Sequence, residues 1–108
     1  MTVRDLADAL SLNEISMADE DREITGGYAG DLLSWVMGRA QADEAWVTIM
    51  SNNNIVAVAS LTDVACIVLS EGVQPDEGVK ETAAAKGINI LGSELATFEI
   101  CGRIRNLL

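Results

Sequence analysis

The feature that most constrains this chain is a short run, Ala65-Cys66-Ile67-Val68-Leu69, apolar at every position and broken by Ser70-Glu71-Gly72. A strand with one wet face alternates apolar and polar residues, whereas a strand covered on both faces does not. The run therefore predicts a central parallel strand with helices packed over it. Three other segments have strand character: Ala45 to Met50, Ile88 to Leu91 and, more weakly, Asn13 to Met17.

Helical patterns fill the gaps. Thr2 caps a first helix that runs to Leu10, with Asp5 in its first turn. A second helix is expected from Ala29 to about Arg39, because Leu32, Leu33, Val36 and Ala40 fall on one face, flanked by Trp35 and Met37. The run Ile55 to Leu61 is apolar on all sides and could be strand or helix. The polar cluster Ser51 to Asn54 supplies capping residues and favours a helix beginning near Asn54. Asp76 to Lys86 is bounded by Pro75 and Gly87, and a last helix runs from about Glu94 to Ile104, with Gly102 expected to weaken it. Strand–helix repeated four times predicts an α/β fold: a small, mostly parallel sheet of about four strands with covering helices. At 108 residues the whole chain, 1–108, is expected to form one domain.

Charge narrows the partners. Seventeen acidic and seven basic residues leave a net charge of −10, a field that repels phosphate backbones and anionic lipid surfaces. Two Trp, one Tyr and one Phe make no stacking platform for bases. Neither nucleic acid nor membrane is expected as a partner. No basic and apolar leader is visible, the apolar runs are too short to span a bilayer, and a cytoplasmic location is expected. Cys66 and Cys101 lie inside apolar segments and read as buried, reduced thiols. Two Cys and no His cannot complete a zinc or iron–sulfur site within one chain, so no cofactor is expected.

The candidate site is the stretch Asp21-Arg22-Glu23-Ile24-Thr25-Gly26-Gly27-Tyr28-Ala29-Gly30-Asp31, read as a glycine-rich turn leading into the second helix. Such backbone leaves N–H groups free for an anion. Ligands of parallel sheets gather beyond the strands' carboxyl ends, where Thr25, Gly26, Gly27, Gly30, Thr48, Asn54 and Ser70 would converge. Arg22 could meet a phosphate, and Asp31 would orient the loop. The same residue types also serve ordinary turns and caps. No P-loop, dinucleotide fingerprint, nucleophile elbow or histidine base is present, so a non-catalytic protein is expected. Asp19, Glu20, Asp21 and Glu23 could gather a cation for hydrolysis, but an acidic turn is more often solvated.

Asp21, Arg22, Thr25, Gly26 and Gly27, followed by Tyr28, Gly30, Asp31, Leu32, Leu33 and Ser34, resemble the signature of the DRTGG domain. The later Thr48, the run Asn54 to Leu61 and the break at Ser70-Glu71-Gly72 are similar too, so the resemblance covers roughly residues 10–105. It implies a small α/β fold like the N-terminal domain of the HPr serine kinase/phosphorylase. It also implies an accessory role, as beside phosphotransacetylase catalytic domains or between the CBS domains of some pyrophosphatases, in regulation and subunit contact. Stand-alone copies are similar to proteins labelled HPr kinase-like or hydrogenase-associated iron–sulfur proteins. The first label needs a P-loop, and the second needs more cysteines than two.

Two readings follow. One is a regulatory module, expected as a homodimer, that binds a small anionic ligand or nucleotide through Arg22, Thr25, Gly26, Gly27, Gly30, Asp31, Thr48 and Asn54. The other is a dimeric interaction partner of a redox (hydrogenase-type) or metabolic enzyme. In that reading Tyr28, Trp35 and Trp46 are the candidate anchors, and the strand carrying Trp46 lines a subunit contact.

Overall fold

The computed structural model describes all 108 residues. In chain order the elements are α1 (Val3–Leu10), β1 (Asn13–Ser16), β2 (Gly26–Ala29), α2 (Leu33–Arg39) and β3 (Glu44–Thr48), then α3 (Asn54–Thr62), β4 (Cys66–Leu69), α4 (Val79–Lys86), β5 (Ile90–Gly92) and α5 (Thr97–Leu107). The five strands form one sheet in the order β1-β5-β4-β3-β2. β2 to β5 are mutually parallel, and β1 pairs antiparallel with β5. The mostly parallel α/β fold is as expected, and the apolar run at 66–69 is its central strand.

Packing follows the two-residue period of the strands. Trp46, Ile67, Leu69 and Ile90 point to the layer of α2, α3 and α4. Ala45, Val47, Cys66, Val68 and Leu91 point to the opposite layer, with Val3, Leu6 and Ala7 of α1 and Ile100 and Ile104 of α5. Each fully buried Ile, Leu or Val contributes roughly 1.5–3 kcal/mol. The α1 cap is the capping box its sequence suggests: the Asp5 N–H donates to Thr2 Oγ1 at 3.1 Å, and the Thr2 N–H donates to Asp5 Oδ2 at 3.0 Å.

The fifth strand is the main departure from expectation. Gly26-Gly27-Tyr28-Ala29 is no helix-leading turn but an extended edge strand, with Tyr28 beside Trp46 and Ala29 beside Val47. Glycine disfavours strands, so pairing with β3 decides the conformation over local preference. Recruiting Tyr28 and Ala29 to the sheet delays α2, which starts at Leu33 instead of Ala29. α4 likewise starts late, at Val79, because Gly78 takes a left-handed φ of 88°. Gly102 does not interrupt α5. Trp46 lines no subunit contact: it is wholly buried, and its indole N–H donates to the Gly30 carbonyl at 3.0 Å.

Candidate functional site

Strands β2 to β5 succeed one another in a single direction, with α2, α3 and α4 all on one face. The carboxyl ends of the parallel strands therefore have no point where the winding reverses, which is where sheets of this kind open a crevice. The opening lies elsewhere. α5 returns across the opposite face and packs over β2 and β3, where Gly27 and Ala29 offer almost no side chain. The helix does not fill the space those residues leave, and a groove of about 390 Å³ remains.

Gly26, Gly27 and Ala29 form the strand side of this groove, Val47 its floor, and Ile104 and Arg105 its helical wall. Arg105 is the one charged side chain lining it. Cys101 also faces the groove, and burial pushes its thiol up. Burial pushes the Cys66 thiol up to about 12. Neither sulfur is a thiolate nucleophile near neutral pH. A smaller depression of about 200 Å³ continues past Val47 and is lined by Gly30, Asp31, Thr48 and Thr97.

The eight residues picked out in the sequence thus divide. Gly26 and Gly27 line the larger groove, and Gly30, Asp31 and Thr48 line the smaller depression. Thr48 is buried, and its Oγ1 accepts the Met50 N–H at 3.3 Å. Arg22, Thr25 and Asn54 line neither space. The Thr25 N–H is spent on the Asp43 carbonyl, and the Asn54 N–H donates to Asn52 Oδ1.

Arg22 is already paired, at the amino end of β2. Its guanidinium donates to Asp43 Oδ1 at 2.8 and 3.0 Å, to the Asp63 carbonyl at 2.6 Å and to Asp63 Oδ1 at 3.0 Å. Partial burial works against its charge, but the hydrogen bonds to Asp43 and Asp63 outweigh that cost and hold it more firmly protonated than usual. A second possible anion position is also filled. At the α5 N-terminus the Thr97 N–H donates to Glu71 Oε2 at 2.8 Å, so the chain's own carboxylate occupies that end. Ser70 bonds Thr97 across 2.6 Å, Oγ to Oγ1.

The acidic turn does not converge. Glu20 accepts from Arg4 at 2.6 and 2.9 Å, while Glu23 pairs with the terminal amine. No group of three or more His, Cys, Asp or Glu side chains is arranged to hold a metal ion. Sequence reading missed Arg105 and the whole α5 wall. The strand and helix walls of the groove lie more than seventy positions apart, and the amphipathic pattern of α5 says only that one face is buried.

Comparison with known proteins adds a family. No curated protein matches the chain. A crystal structure of the CBS and DRTGG domains of the regulatory region of Clostridium perfringens pyrophosphatase, complexed with the activator diadenosine tetraphosphate, superposes with a TM-score of 0.73 at 12% identity. It covers 92% of this chain, and this chain spans 44% of that one. At such identity the likeness establishes the fold. The DRTGG domain family matches residues 29–107, beginning just after Asp21 to Gly27, and with most of its length matched the chain belongs to that family.

Proposed function

We propose that residues 1–108 act as one non-catalytic regulatory domain in the cytoplasm, sensing a nucleotide-class ligand in the groove between β2 and α5. The observation that carries this reading is the groove itself: an apolar floor beside the small residues Gly26, Gly27 and Ala29, with a single cation, Arg105, at its wall. Its volume falls within the range of small-molecule sites, roughly 300–1,000 Å³. The regulatory role of the DRTGG-containing region in the clostridial pyrophosphatase supports the class of function. Gly26 and Gly27 would then serve by close approach of their backbone, with Arg105 in the phosphate role first assigned to Arg22. Gly30, Asp31 and Thr48 would border the same ligand's far end.

A thermal-shift panel of AMP, ATP and diadenosine tetraphosphate tests this. Stabilisation that Gly27→Val and Arg105→Glu each remove is the expected result. No shift with any of the three at millimolar concentration, in folded protein, would refute it.

A second reading, a homodimer or the partner of a redox (hydrogenase-type) or metabolic enzyme, is favoured by one feature. Residues 45–62 carry no charge on a chain of net charge −10, and Leu32, Trp35, Met37 and Leu61 are exposed on α2 and α3 or beside them. Sedimentation at micromolar concentration should give a dimer that Trp35→Glu dissociates. A monomer throughout would sink the dimer.

A further inference from the structure

β2 ends the sheet and is bonded only to β3, so the backbone groups on its other side have no strand partner. Strand edges of this kind are usually guarded by charge, proline or a bulge. Gly26-Gly27-Tyr28-Ala29 has none of these, and its pairing with β3 runs in unbroken register. Immediately before it the outer edge is already in use. The Ile24 N–H donates to the Met1 carbonyl at 2.8 Å, the Val3 N–H donates to the Arg22 carbonyl at 2.9 Å, and Thr2 bridges Glu23 antiparallel. Antiparallel pairing on this edge thus begins at 22–24 and stops where β2 starts.

We infer that the open edge of β2 receives an extended segment of a partner protein, added antiparallel as a sixth strand along the line that residues 1–3 begin. The inference rests on the same groove as the proposed function, though not on that groove holding a nucleotide. Strand addition of this kind takes affinity from main-chain bonds and specificity from alternate side chains. Residues of the added strand opposite Gly27 and Ala29 share their face, so every second side chain lies toward the space beside Cys101 and Ile104. Those positions are apolar in the segment that fits. Arg105 calls for a carboxylate on that segment, because it is the one charged side chain lining the groove and no carboxylate side chain pairs with it. The glycines leave the face above this edge clear for side chains of the incoming strand.

The test is selection from a displayed random octapeptide library against the full chain, followed by synthesis of the best binder. The synthetic peptide is compared with two versions N-methylated on alternate sets of backbone nitrogens. The expected result is an alternating apolar consensus with an acidic residue, slowed amide exchange within Gly26–Ala29, and about tenfold weaker binding for only one of the two N-methyl sets. Arg105→Glu should weaken binding severalfold without unfolding the chain. Failure to enrich any alternating sequence would overturn the inference. So would equal binding of both N-methylated peptides, which shows a ligand held by the groove without the edge. Nucleotides are read separately by thermal shift, so either claim can fail while the other stands.

Discussion

The two edges of this sheet are built in opposite ways. β1 is guarded: its pairing with β5 is irregular between Glu14 and Ser16, Glu14 is held by Arg4 at 2.7 Å, and the Ser16 hydroxyl donates to the Ile88 carbonyl at 2.8 Å. β2 carries no charge and is fixed mainly from behind, through its register with β3 and the Trp46 N–H on Gly30. One edge spends its side chains on closure, and the other keeps almost none. Exposed strand edges are a hazard that folds usually cover. An edge left plain, next to a groove, is what both the proposed ligand and the proposed added strand would use.

The largest expected effect comes from removing what holds the open edge. Trp46→Ala should cost about 3–5 kcal/mol in denaturant unfolding, from the lost volume of a fully buried indole and the orphaned Gly30 carbonyl. Trp46→Phe keeps most of the volume but not the donor. It should cost about 1 kcal/mol and speed amide exchange in β2 more than in β1. If both edges loosened equally, the contrast between them would be wrong.

Arg22→Ala removes the clamp below β2 and should cost about 1 kcal/mol, modest because its carboxylate partners, Asp43 and Asp63, are 47% and 68% exposed. Nucleotide shifts in that variant should persist, since Arg22 lines no part of the groove. Acid should test the contacts of α1 first, since both Asp5 and Arg4 lie on it. Hydrogen bonds from Thr2 hold the Asp5 carboxyl below its ordinary value near 3.8, and those from Arg4 hold Glu14 below 4.5. Both groups bind protons more readily unfolded than folded. Their stabilisation is therefore present above those ordinary values and lost as pH falls through the lower folded ones. Melting curves from pH 6 to 2 should show that loss shrinking in Asp5→Asn and Glu14→Gln.

The smallest effect should come from Gly27→Ala. A methyl there meets only the Ala45 carbonyl at 3.5 Å, an ordinary contact, so stability should stay within about 0.5 kcal/mol. Ala29→Lys, which places a guard on the bare edge, should likewise leave melting unchanged while abolishing strand addition.

Much of this arrangement could be read from residues. The apolar run at 66–69, the Asn-led start of α3, the Thr2 cap and the alternation of strand with helix are local signals, and they gave the layers and the parallel direction. What stayed hidden depends on distant partners. In Gly26-Gly27-Tyr28-Ala29 only Tyr28 favours an extended state, and pairing with Glu44–Thr48 alongside decides it. Gly26 and Gly27, which read locally as a turn, lie in β2 and line the groove. From sequence Arg22 reads as a free cation, but its partners Asp43 and Asp63 are twenty-one and forty-one positions away, beyond the reach of any local motif. Arg105 carries no sequence signal except its place near the end of an amphipathic helix.

The most direct measurement is an amide-detected NMR titration of the labelled chain with diadenosine tetraphosphate. The β2–α5 groove predicts saturable shifts concentrated at Gly26 to Ala29 and at Cys101 to Arg105, with the α2 and α3 amides unmoved. Shifts centred on Trp35 and Leu61, or none at millimolar ligand, would contradict it.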